Sequence, residues 1–217
     1  MTIHVSAFRW VPSFAQGYVR DLRVRWALEE AGLPYEATLI DPTIQATEDY
    51  REWQPFGQVP AYRDDGVEMF ESGAIVLHLA MRSEALSPQD EAGRARTMTW
   101  VIAALNSVEP HVQNLVQLDV FHAGEAWTEE RRPQAEAMLR KRLDALSAWL
   151  GERDYLEDRF TAGDLMMAMV LRELADTGLL ERYANLGAYV RRCTARPAFA
   201  RALEAQLQPF RENAPAA

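Results

Sequence analysis

Residues 55–75, PFGQVPAYRDDGVEMFESGAI, carry a Pro–Gly break, two short apolar runs and a helix start in direct succession. Val59–Arg63 and Val67–Phe70 flank Asp64-Asp65-Gly66. An Asp-Gly step accepts the positive φ values of a tight hairpin, so the two runs read as antiparallel strands. Glu71–Met81 follows directly and reads as a helix that turns Ile75, Leu79 and Ala80 toward a core.

Upstream, Ile3–Phe8 reads as a strand, and Pro12, Ser13 and Gly17 mark a loop after it. Val24, Ala27, Leu28 and Ala31 stand at i, i+3, i+4 and i+7, which is one helical stripe, and Gly32 supplies its stop. Pro34–Ile40 is a second strand. The polar stretch Thr43–Trp53 reads as a short irregular helix ended by Pro55 and Gly57. The order is therefore β-α-β-α-β-β-α, with the first two strands parallel through a right-handed crossover. That makes residues 1–82 a small α/β domain.

Downstream, Ser83–Asp90 (SEALSPQD) is polar and reads as a linker. Beyond it the strand signals stop. Val101, Ala104, Leu105 and Val108 form one stripe, Leu139, Leu143, Leu146 and Leu150 a second, and Met167, Val170, Leu171 and Leu174 a third. Residues 91–217 thus read as an all-helical domain, ending in a loose Ala/Pro tail. Thr161 and Asp164 have the spacing of a capping box, with Phe160 and Leu165 placed to staple it.

The 217 residues hold 23 Lys+Arg against 32 Asp+Glu, a net charge of −9, with 48% hydrophobic residues. This is the balance of a folded protein, and its acidity argues against nucleic acid or an anionic membrane as partner. The one cysteine, Cys193, allows no internal disulfide and no multi-cysteine zinc site, which fits a reducing cytoplasm. The N-terminus has no basic-then-apolar leader, and no apolar run approaches the ~20 residues that span a bilayer. His4, His78, His111 and His122 show no metal-ligand spacing. Arg20, Arg23 and Arg25 read as a solvated helix face in preference to a site for an anionic ligand. Trp10, Phe14, Trp100, Met166, Met167 and Met169 are either core or the wall of an apolar cleft.

Two places in the opening stretch bear on chemistry. Pro60 leaves two readings: a cis bond after Val59, which turns the Val59 backbone outward as an edge for a peptide-like ligand, or a trans proline on an edge strand. Glu71-Ser72 stands where a strand passes into a helix. Either Ser72 is a plain N-cap, or its surroundings bind an α-carboxylate at the positive helix end while Glu71 accepts an α-ammonium.

Taken as a linked run, Pro55-Phe56-Gly57-Gln58-Val59-Pro60, the Asp-Gly hairpin and Glu71-Ser72-Gly73-Ala74-Ile75 resemble the glutathione-binding half of the glutathione S-transferase family. The likeness extends to Val24–Glu36 and to the Thr161/Asp164 box, hence to both halves of the chain. It implies a thioredoxin-like first domain, an all-α second domain and a homodimer. It implies that Val59 pairs through its backbone with the cysteinyl part of glutathione beside a cis Pro60. By the same resemblance Glu71 and Ser72 hold the γ-glutamyl head, and Gln58 lies near the middle or glycyl end.

Members of the family place a serine, tyrosine or cysteine after the first strand to hydrogen-bond the glutathione sulfur. Here the loop reads Trp10-Val11-Pro12-Ser13-Phe14-Ala15-Gln16-Gly17-Tyr18 and has no cysteine. Ser13 and Tyr18 are its two candidate hydroxyls. Each also has a plainer reading, Ser13 as a loop cap and Tyr18 as a packing residue. The implied activity is a cytoplasmic detoxifying transferase that joins the glutathione thiolate to a small apolar electrophile. The alternatives are a glutathione-dependent isomerase or peroxidase, or a non-catalytic binding protein on the same fold.

Overall fold

The computed structural model describes residues 2–215. Its sheet has four strands, β1 (Ile3–Phe8), β2 (Tyr35–Ile40), β3 (Ala61–Arg63) and β4 (Glu68–Phe70), in the order β2-β1-β3-β4. β1 and β2 run parallel along their full length, while β3 is antiparallel to both β1 and β4. Helix α1 (Asp21–Ala31) makes the crossover and ends at Gly32, whose φ of 66° closes the helix through an N–H bond to Glu29 O. The polar stretch after β2 forms two short helices, α2 (Pro42–Gln45) and α3 (Glu48–Trp53). Two caps divide it: Asp41 accepts from the Thr43 and Ile44 amides, and Thr47 from that of Tyr50. After β4 comes α4 (Ser72–Ala80).

The first hairpin run loses Val59 and Pro60 from its start, and the second loses Val67, whose amide goes to Asp64 in the turn. The Asp64 carboxylate accepts from the Gly66 and Val67 amides at 2.9 Å, the Tyr62 hydroxyl at 2.9 Å and Arg82 at 3.1 Å. Burial pushes its pKa up, and these donors overcome that and hold it at about 2.

By packing, the chain forms two units: one runs to Gln89 and resumes at Ala195, and the other is Asp90–Thr194. The segment 83–90 is a packed turn in which Leu86 and Ser87 are fully buried. The final helix, α10 (Pro197–Glu212), has a helical pattern like its predecessors but packs on α1. The Trp26 and Phe199 rings meet edge to face at 4.9 Å, and Arg196 forks onto Glu30 at 2.6 and 2.8 Å. This packing corrects the reading of Arg23 and Arg25 as a solvated face, since each is only 2% exposed. Arg25 binds Asp21 at 2.7 Å and the Ala205 carbonyl at 3.2 Å, while Gln206 donates to Asp21 at 2.6 Å and to the Val19 carbonyl at 3.0 Å.

The other unit is helical: α5 (Glu91–Ala103), α6 (Glu109–Val116), α7 (Ala126–Leu150), α8 (Ala162–Arg172) and α9 (Ala184–Thr194). Between α5 and α6 the helix widens into π-turns at Ala104–Val108, just before Pro110, which has no N–H to give the ladder. The widening keeps Val101, Ala104 and Val108 buried and leaves Leu105 partly exposed. The box at the start of α8 is reciprocal. Thr161 caps the first turn, and its amide donates to Asp164 at 2.9 Å, with Phe160 and Leu165 both buried.

Candidate functional site

Strand register gathers three separate segments at one end of the sheet. Val5 is opposite Tyr62, and Ala61 is opposite Phe70. The carboxyl end of β1, the amino end of β3 and the carboxyl end of β4 therefore lie side by side. The loop after Phe8, the pair Val59-Pro60 and the pair Glu71-Ser72 all emerge there.

The Val59–Pro60 bond is cis. The Val59 side chain is buried with Ile40, Tyr50, Trp53 and Ala61, while its main chain lies ahead of β3 and outside the strand registers. Gln58 is exposed beside it. Beneath this turn is a buried polar group within the apolar cluster. The Tyr50 hydroxyl donates to the Gln58 carbonyl at 2.5 Å and meets Ser6 Oγ at 2.9 Å, and the Ala61 amide donates to Ser6 Oγ at 2.7 Å. Burial raises the pKa of the Tyr50 phenol against the lowering effect of the Ser6 bond.

Glu71 takes the N-cap position of α4 with φ 70° and ψ 114°, and its side chain makes no capping bond. It is the one non-glycine residue with positive φ among those described. Such a conformation costs on the order of 1–3 kcal/mol and collects at ligand sites. Ser72 is the first residue of the helix and is buried, so the reading of Ser72 as a plain N-cap does not hold. An exposed carboxylate thus stands beside the amino end of a nine-residue helix, a pairing suited to a ligand that carries both a carboxylate and an ammonium group.

Ser13 opens a single 3₁₀ turn, Ser13–Ala15, and is exposed. Tyr18 is 36% exposed, with its amide bonded to the Ala15 carbonyl at 3.0 Å. The loop is tied by Gln16, which donates to the Val11 carbonyl at 3.0 Å. Gly17, at φ 83°, sits where a Cβ would meet Leu203 of α10 at 3.4 Å. Trp10 and Phe14 belong to the same stretch and are 37% and 54% exposed. The methionines considered with them as a cleft wall, Met166, Met167 and Met169, are instead buried in α8.

Sequence reasoning missed Ser6 and Tyr50. A serine in the middle of an apolar strand was the available signal, because a fully buried hydroxyl there needs a partner. Among the described residues no group of His, Cys, Asp and Glu is arranged to hold a metal ion, and no helix is long and apolar enough to cross a membrane.

A family model described as "Glutathione S-transferase, N-terminal domain" matches residues 22–82. The match takes in Gln58, Val59, Pro60, Glu71 and Ser72 and begins after the loop that carries Ser13 and Tyr18. A glutathione S-transferase of Silene vulgaris is 31% identical over 201 residues, covering 86% of this chain and 93% of its own. Glutathione S-transferase 3 of Zea mays is 30% identical, with coverage of 85% and 88%. Among solved structures, a glutathione transferase from Burkholderia graminis, crystallised with two glutathione molecules per subunit, superposes with a TM-score of 0.81 at 25% identity. That superposition covers 94% of this chain and 88% of the other. Poplar glutathione transferase F1 shares the fold at a TM-score of 0.82 and 23% identity, covering 96% and 99%.

Proposed function

The chain belongs to the glutathione S-transferase family and is a glutathione transferase; from that premise we propose that glutathione lies across the end of the sheet and that its thiolate attacks a small apolar electrophile. The observation that carries this reading is the convergence of the first loop, Val59-Pro60 and Glu71-Ser72 at one end of the sheet. Val59 offers its backbone to the cysteinyl residue. Glu71 takes the γ-glutamyl ammonium, Ser72 and the amino end of α4 take the adjoining carboxylate, and Gln58 reaches the middle or glycyl end. Ser13 or Tyr18 donates a hydrogen bond to the sulfur. That bond favours the thiolate, and the thiol proton passes to solvent.

The sulfur lone pair then forms a C–S bond with the electrophile. A leaving group departs with the electron pair of its bond, or, in an addition, water supplies a proton to the neighbouring atom. Exposed Trp10 and Phe14 in the same stretch as the two hydroxyls support an apolar co-substrate. The same reading places the enzyme in the cytoplasm as a homodimer with a detoxifying role.

Titration calorimetry with glutathione tests the site. Glu71→Ala combined with Ser72→Ala removes the bonds to the charged head group, each worth about 1.5–3 kcal/mol. Affinity should fall at least ten-fold, and unchanged affinity would overturn the site assignment.

A further inference from the structure

The hydrogen bonds under the Val59 turn form a single directed chain. The Tyr50 phenol has one proton, and it goes to the Gln58 carbonyl at 2.5 Å. The 2.9 Å contact between Tyr50 and Ser6 must then use the Ser6 proton, and Ser6 Oγ in turn accepts from the Ala61 amide at 2.7 Å. The order is Ala61 N–H to Ser6 to Tyr50 to Gln58 O, with every hydroxyl proton used once. The chain starts on the residue after Val59-Pro60 and ends on the residue before it. Both side chains are buried, Ser6 completely and Tyr50 at 4% exposure, so the two hydroxyls are shielded from bulk solvent.

An apolar cluster of Ile40, Trp53, Val59 and Ala61 would pack as well around phenylalanine and alanine. Two hydroxyls there are costly unless fully paired, and when fully paired they fix geometry more sharply than apolar packing does. Here the geometry they fix is that of the four residues Gln58–Ala61.

We propose that Tyr50 and Ser6 are positioning residues for glutathione. They clamp the peptide groups on either side of Val59-Pro60 and thereby aim the Val59 backbone at the cysteinyl part of the ligand. This rests on the reading of Val59 as the docking edge. Neither residue touches glutathione in that arrangement. Their removal therefore weakens binding and leaves the chemistry of a bound thiolate alone.

The test uses the full-length chain. Tyr50→Phe removes only the phenol oxygen, and Ser6→Ala removes the preceding link and serves alone if Tyr50→Phe does not fold. Three quantities are read: glutathione affinity by calorimetry, steady-state kinetics with an activated aryl chloride, and the pH dependence of thiolate absorbance in the complex. In each variant the Kd and KM for glutathione should rise about ten-fold, the scale of one buried group left unpaired. At saturating glutathione, kcat and the thiol pKa should stay as in the parent. Asp90→Ala, which removes the cap on the Gly93 amide at the start of α5, controls for a general loss of stability and should leave Kd unchanged.

A rise in Kd for Asp90→Ala equal to that of Tyr50→Phe would make the effect one of stability alone and overturn the proposal. Parental affinity in Tyr50→Phe and Ser6→Ala, with affinity lost in the Glu71/Ser72 double variant, would overturn it and leave the site standing. Parental affinity in the double variant as well would overturn the site and the proposal together.

Discussion

Ser13 and Tyr18 occupy the same short loop, on opposite sides of Gly17, and differ in what holds them. Ser13 follows Pro12 into a 3₁₀ turn in the loop after β1, whereas Tyr18 is anchored through its amide to Ala15 and precedes α1. Whichever hydroxyl meets the sulfur must approach within about 3 Å of it. Substituting that residue, Ser13→Ala or Tyr18→Phe, should raise the pKa of bound glutathione by at least about one unit, since one unit is ~1.4 kcal/mol of thiolate stabilisation. Ultraviolet absorbance across pH reads this directly, and a pKa unmoved in both variants would remove both from the mechanism. At this scale the candidate residues Val59, Pro60, Glu71 and Ser72 stood out because they fall in one contiguous run with fixed spacing. The positive φ of Glu71 was not, because nothing in a glutamate announces left-handed backbone. Ser6 and Tyr50 stayed hidden because their contact spans 44 positions, and no local pattern encodes a pairing of that range.

Among the elements, the strands and the long helices followed their apolar periods, and departures occurred where a polar side chain or a proline intervened. Pro60 stands where the first hairpin strand is cut short and Asp64 where the second is, Asp41 and Thr47 split one helix into two, and Pro110 coincides with the π-turns. The hairpin carries a pH prediction. The Asp64 carboxyl has a folded pKa of about 2, below its ordinary 3.8, so the stability it confers is complete above about pH 4 and is lost as pH falls through about 2. In Asp64→Asn, urea midpoints measured between pH 4.5 and 2.5 should lose part of the acid slope seen in the parent. An identical slope would show that the carboxylate contributes nothing there. The start of α8 carries another. A methyl group on Gly163 would stand 2.5 Å from Trp100 Cβ, an atom fixed to the backbone of α5 that cannot swing away. Gly163→Ala should therefore destabilise by about 1–3 kcal/mol, read as a lower urea midpoint with an unchanged slope. The capping box was legible from Thr161 and Asp164, but the need for glycine between them was not, because it arises from a helix some sixty positions earlier in the chain.

At the scale of the whole molecule, periodicity groups α10 with the other helices, but its partners are Trp26, Glu30, Arg25 and Asp21 of α1. Local patterns say that a helix has an apolar face and not which surface receives it. A fragment ending at Gln89 should accordingly fail to fold. It keeps the sheet but uncovers Trp26 and deprives the buried Asp21–Arg25 pair of Ala205 and Gln206. Circular dichroism and amide exchange should find it without native protection, and a peptide of residues 195–217 should restore part of that protection. A native-like fragment without the peptide would refute this account of the packing. The discontinuity also sets a timetable on the ribosome. Synthesis proceeds at ~5–20 residues per second, so the sheet and its first helix wait of the order of ten seconds while Asp90–Thr194 is made. Throughout that interval the nascent chain carries an unfinished, partly apolar surface, a natural target for a holding chaperone, and the first unit can close only once α10 has left the exit tunnel.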